Sequence, residues 1–185
     1  LSLDEAYAEA DRIDDLLGEK LNYAFNERLG YLTECPTNLG TGLRASLMLH
    51  LPALEMSGAV NRLASTVSKI GLTIRGTYGE GTKASASMYQ LSNQVTLGIS
   101  EKAAIENLKS IAAQAMSQEK TARENLDRQA LEDNAYRALG TLKFARIMSG
   151  DEFMKLISRV RLGVATGVVD GIPLEKIEEL IIDAG

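Results

Sequence analysis

The chain has 185 residues, enough for one buried core with an appendage, and its 45% apolar and 24% charged residues describe an ordinary globular protein, not a disordered one. A net charge of -5 without a dense lysine or arginine cluster argues against a general nucleic-acid binder. One cysteine rules out an internal disulfide, one histidine a clustered structural zinc site, and no apolar run approaches the roughly 20 residues of a membrane span.

These features read as a protein of a reducing cytoplasm with no membrane contact. The chain begins at Leu1, inside the opening of an amphipathic helix, and so reads as a piece of something longer. That helix is expected over 3–26, where Tyr7, Ala10, Ile13, Leu17 and Leu21 recur at three- and four-residue spacing and Asp4 and Glu5 suit the positive helix end. A strand over 29–34 follows, then a loop, Cys35-Pro36-Thr37-Asn38-Leu39-Gly40-Thr41, and a long strand ending at Pro52. On that strand Leu43, Ala45, Leu47, Leu49 and Leu51 make a core face, while Arg44, Ser46, Met48 and His50 make a polar one.

A helix is expected over 52–70 with Leu54, Val60, Leu63, Val67 and Ile70 as its stripe, closed by Gly71. Residues 72–77 read as an alternating strand with Arg75 on its polar face, 78–83 as a glycine-containing loop, and 87–94 as a returning strand. Ser100 is a good cap for a helix of about 30 residues whose buried face carries Ile105, Leu108, Ala112, Ala115 and Met116. Three tail helices are expected at roughly 133–148, 151–162 and 173–182, Pro173 fitting a first turn. The fold class is therefore α+β, an antiparallel sheet flanked by helices with a helical C-terminal tail. The division falls into 1–130 and 131–185.

Arg44 and Arg75, each on the polar face of a strand, suit either a structural ion pair or a polyphosphate, whose oxygens a guanidinium fork binds in pairs. Cys35 by itself is either a small buried hydrophobe or a reactive thiol, but no motif supplies a base beside it. His50 reads as a packing or hydrogen-bonding residue at a strand end, and Glu80 as a solvated loop acid or a contact for a cation.

The seven residues from Cys35 to Thr41, with Gly42-Leu43-Arg44-Ala45 and Arg75-Gly76-Thr77, resemble the cysteine signature and arginine motifs of the phosphagen (ATP:guanidino) kinases. The likeness is closest to the bacterial protein arginine kinase branch. It extends through Tyr31-Leu32-Thr33, Arg44-Ala45-Ser46, Met48, His50-Leu51-Pro52-Ala53-Leu54, Arg75-Gly76, Tyr78-Gly79-Glu80-Gly81 and Ser92-Asn93-Gln94. In the tail, Val160-Arg161-Leu162-Gly163 and Gly167 also resemble that branch, whereas creatine kinases have no such tail.

The resemblance implies part of a phosphagen kinase catalytic domain that phosphorylates protein arginine with ATP and magnesium. It places Arg44, Ala45, Ser46, Leu47 and Met48 with Arg75, Gly76, Thr77, Tyr78, Gly79 and Glu80 along the nucleotide. Cys35, Thr37, Asn38 and Glu80 fall beside the guanidinium, Cys35 as a thiolate that orients and stabilises it without covalent chemistry. The acidic pair that removes the guanidinium proton in the family belongs to a segment before Leu1, so the isolated chain is expected to be inactive. Where creatine kinases carry a histidine four residues after the signature arginine, this chain has Met48. Implied partners are proteins bearing exposed arginine, stress-response regulators, Clp-type proteolytic machinery and a second copy of the chain. A kinase for free arginine or another small guanidino compound, and a non-catalytic regulatory or dimerising module, remain as alternatives.

Overall fold

The computed structural model describes residues 2–76, 84 and 86–184. The expected loop over 78–83, and with it Thr77, Tyr78, Gly79 and Glu80, lies outside the described residues. Three strands, β3 (Ser46–His50), β4 (Leu72–Gly76) and β5 (Met88–Asn93), form a sheet in the order β3-β5-β4. Backbone bonds from Asn93 N–H to Ala45 O and from Leu51 N–H to Ser87 O, at opposite ends of the β3–β5 pair, give it an antiparallel register. The alternation along β3 is as the sequence predicts for most positions: Ala45, Leu49 and Leu51 are buried, whereas Arg44, Ser46 and Met48 are exposed. His50 departs from it and is buried.

The chain forms two compact units. The first comprises Leu1–Leu47, Ser65–Ile74 and Leu91–Gln114. It opens with helix α1 (Leu3–Gly18), started by a capping box in which Ser2 and Glu5 exchange hydrogen bonds of 3.2 and 2.8 Å. The helix stops at Gly18, short of the expected residue 26. Beyond it Phe25–Asn26 (β1) pairs antiparallel with Gly30–Tyr31 (β2), and the Asn26 side chain accepts from the Arg28 and Leu29 N–H groups across the turn. An asparagine that satisfies its own turn favours a hairpin over helix at its own position. Edge-on contacts of Tyr23 and Phe25 with the Tyr31 ring support the hairpin. The expected strand over 29–34 shrinks accordingly to Gly30–Tyr31. No residue of α1 is buried; Lys109 bonds Asp4 at 2.6 Å and the Tyr7 hydroxyl donates to Glu101 at 2.6 Å, both partners belonging to helix α4 (Glu101–Glu124). Ser100 caps α4 as expected, through Ala103 N–H.

The second unit comprises Met48–Ala64, Arg75–Gln90 and Ala115–Gly185. The single helix expected over 52–70 is two, α2 (Pro52–Met56) and α3 (Ala59–Ser68), because Gly58 adopts φ +69° and ends the first. Glu119 on α4 is buried and accepts from the Ala53 and Leu54 N–H groups that open α2, and from Arg123 Nε at 2.7 Å. Met116, expected in the buried face of that helix, is about half exposed, and the helix is 24 residues long. The tail forms α5 (Arg128–Phe144), capped by Asp127; α6 (Gly150–Ala165), capped by Ser149; and α7 (Leu174–Ala184), directly preceded by Pro173. Ala138, Met154, Ile157, Val160, Ile177 and Ile181 make its core. A side chain at Gly163 would come within 2.7 Å of Ala135 Cβ, so the glycine is what lets α6 approach α5. Among the described residues no helix is long and apolar enough to cross a membrane.

Candidate functional site

The cysteine loop is pinched at its base and open at its tip. Tyr31 and Gly40 exchange two backbone bonds of 2.8 and 3.2 Å, closing the neck. Gly40 takes φ +110°, and a side chain there would run into the Thr96 carbonyl. Between these ends the chain makes a short 3-10 turn, Pro36–Asn38, with Thr33 Oγ1 and Asn38 N–H both donating to the Cys35 carbonyl, at 2.8 and 3.0 Å. Proline as the first residue of that turn fixes φ where no N–H is needed.

Cys35 is exposed at the tip, its Sγ 3.0 Å from Thr37 Oγ1. The Thr37 hydroxyl, and after it the Thr37 backbone, hold the thiol below its ordinary range, because both stabilise the thiolate. The loop thus presents a soft, solvent-facing thiol whose anionic form is favoured by its neighbours. Among the described residues the side-chain partner of the Cys35 thiol is Thr37, which is not a base.

Two residues not singled out for the site by sequence reasoning hold it in place. Thr96, buried, has its hydroxyl 2.9 Å from the Thr37 carbonyl and 2.8 Å from that of Leu39, and its own carbonyl accepts from Thr41 N–H. Asn93, also buried, accepts from Ala45 N–H at 2.7 Å and donates to the Leu43 carbonyl at 3.0 Å. The only sequence signal for either was the Ser92-Asn93-Gln94 likeness; a polar pair expected to be buried at a strand end would have been the physical clue.

Cys35, Thr37, Asn38, Arg44, Ala45, Ser46 and Leu47 belong to the first unit, and Met48, Arg75 and Gly76 to the second. Arg44 lies just before β3, not within the strand as expected, and Arg75 is in β4; both are exposed, and among the described residues neither enters an ion pair. Free guanidinium forks of this kind are available to anions. Glu34 is exposed.

His50, one of the polar-face positions, faces the interior of the second unit. Its Nε2 lies 2.8 Å from Ser158 Oγ on α6, and its carbonyl accepts from Arg123. Burial first, then the charges of Arg161 and Arg123, push its pKa down to about 3, so the ring is neutral near pH 7. It is a structural hydrogen-bonding residue, in keeping with its reading at the strand end.

Residues 1–122 match the family model for the ATP:guanido phosphotransferase C-terminal catalytic domain, and residues 128–185 match that for the protein-arginine kinase McsB C-terminal domain. A protein-arginine kinase of Caldanaerobacter subterraneus is 51% identical over 183 residues, covering 97% of this chain and 54% of that protein. One of Clostridium kluyveri is 52% identical over 183 residues, covering 96% and 53%. The crystal structure of lombricine kinase superposes with a TM-score of 0.55 at 30% identity, over 66% of this chain and 34% of that one. The chain spans about half the length of the curated relatives it matches. A catalytic-domain match over 122 consecutive residues that include the thiol loop and both arginines settles the lineage: the chain belongs to the ATP:guanido phosphotransferase family.

Proposed function

We propose that the protein carrying this chain transfers the terminal phosphoryl group of ATP to arginine side chains of proteins. The observation that carries the reading is the exposed Cys35 thiol, 3.0 Å from the Thr37 hydroxyl that lowers its pKa, in a chain about half of whose residues are identical to those of proteins named protein-arginine kinase. In this reading the Cys35 thiolate, with Thr37 and Asn38 beside it, orients the acceptor guanidinium and offsets its charge. Arg44 and Arg75 neutralise phosphate oxygens, while Ala45, Ser46, Leu47, Met48 and Gly76, with Thr77, Tyr78, Gly79 and Glu80, line the nucleotide. In-line transfer needs mainly this positioning and charge neutralisation.

ATP is the donor, and magnesium enters as part of the nucleotide substrate. Magnesium typically keeps several waters and is held largely through substrate phosphates. The catalytic part extends over 1–130 and the helical part over 131–185, a division supported by family matches that end at 122 and resume at 128. Partners are proteins with exposed arginines in the cytoplasm. Stress-response regulators, Clp-type proteolytic machinery and a second copy of the chain are the further partners of this reading.

A second reading, phosphorylation of a free guanidino compound, draws on the superposition with lombricine kinase. One experiment separates the two. The full-length protein is incubated with magnesium-ATP, a mixed protein substrate and free arginine, and the phosphate is located and tested for acid lability. Acid-labile phosphate on protein arginine is expected. Phosphate on free arginine alone would move the assignment to the small-molecule reading, and no transfer to either would favour a non-catalytic regulatory or dimerising module.

A further inference from the structure

The stretch that carries Arg44 has no ladder of its own. Residues 43–45 precede β3, and Arg44 is exposed with no ion pair among the described residues to steady it. What fixes the backbone on both sides of Arg44 is one side chain. The Leu43 carbonyl belongs to the peptide before Arg44 and accepts from Asn93 Nδ2 at 3.0 Å; the N–H of Ala45 belongs to the peptide after it and donates to Asn93 Oδ1 at 2.7 Å. Asn93 N–H, in turn, donates to the Ala45 carbonyl at 3.2 Å.

Peptide planes are rigid, so holding the two planes that flank one Cα sets φ and ψ of that residue and with them the direction in which its side chain leaves. An amide is suited to this from a single position, since its oxygen accepts while its NH2 group donates. The amide orientation is fixed by its surroundings: one end faces an N–H, and the other faces the carbonyls of Leu43 and, at 3.4 Å, Val95. Asn93 is itself buried at the end of β5, where its own freedom is already lost.

We infer that Asn93 is the positioning residue of Arg44, orienting that guanidinium in advance for a nucleotide phosphate. The inference rests on the reading of Arg44 as a nucleotide ligand. A side chain aimed beforehand loses less freedom on binding, so the benefit falls on nucleotide affinity and not on the acceptor.

The test is a double-mutant cycle in the full-length protein, reading the Kd of magnesium-ATP and the KM values for ATP and for a protein acceptor. Arg44→Ala and Asn93→Ala are each expected to weaken ATP binding at least tenfold, with KM for the acceptor unchanged. The doubly substituted protein is expected to bind ATP no more weakly than Arg44→Ala alone, because an amide cannot aim a side chain that is absent. Losses that multiply in the double variant, or an unchanged Kd in Asn93→Ala, would overturn the inference while leaving the nucleotide reading of Arg44 standing. An unchanged Kd in Arg44→Ala would overturn that reading and the inference with it. If Asn93→Ala does not fold, Asn93→Asp replaces it in the cycle: it keeps the acceptor for Ala45 and loses the donor to Leu43, and the same non-additivity is expected.

Discussion

The cysteine loop and the tail bundle are held by opposite means. In α5–α7, Met154, Ile157, Val160, Ile177 and Ile181 interlock, and the backbone bonds are internal to each helix. In the loop from Tyr31 to Thr41 the carbonyls of Cys35, Thr37 and Leu39 are met by the side chains of Thr33 and Thr96. Apolar packing is non-directional and tolerates any surface beyond it, whereas side-chain hydrogen bonds fix atoms at set distances. The difference shows where precision has been placed: in the loop that presents the thiol.

The largest test of this contrast lies in the bundle. Ile177→Ala should remove about 2–5 kcal/mol of stability through lost burial and a residual cavity, yet leave the alkylation rate of Cys35 unchanged in the folded protein. Thermal denaturation and iodoacetamide kinetics on the same samples check both halves; slower or faster alkylation would mean the two regions are not independent.

His50 is a polar fastening in the second unit, and pH reads it out. Its folded pKa of about 3 lies below the ordinary 6.5, so between those values the unfolded chain binds the extra proton. The stability linked to neutral His50 is complete above pH 6.5 and is lost as pH falls toward 3. The expected loss is on the order of a few kcal/mol. His50→Gln should flatten that part of the pH–stability curve, and an unaltered slope would refute the assignment.

Thr96→Val should cost about 1–3 kcal/mol, the penalty for leaving the Thr37 and Leu39 carbonyls without their donor. Unlike Ile177→Ala, it should change the alkylation rate of Cys35, because the loop that shapes the thiol loosens. Thr37→Val is the smallest in stability, with a shift near zero expected at an exposed position, but it removes the main cause of the lowered thiol pKa. Alkylation at neutral pH should slow, and its pH midpoint should move upward.

Much of this arrangement is legible in the sequence because it rests on local rules. The Cys35-Pro36 turn, the alternation along 43–51, the Ser100 cap and the three tail helices follow from spacing and from residues that act on their neighbours. The failures share a cause of another kind. Residues 25–31 form a hairpin whose turn Asn26 satisfies, Gly58 splits a stripe that is continuous in hydropathy, and the buried His50 ring meets Ser158, 108 positions away. Asn93 and Thr96 act on residues 48 to 59 positions away, and no window of neighbouring residues contains both ends of such a bond.

Helix α1 buries none of its residues and is fastened to α4 by Lys109 with Asp4 and by Tyr7 with Glu101. The Lys109–Asp4 ion pair in that attachment is screened by salt, since at about 0.15 M the Debye length is only about 8 Å. Raising ionic strength should therefore loosen the first helix selectively, with faster amide exchange over Leu3–Gly18, under conditions in which salt leaves the tail bundle intact.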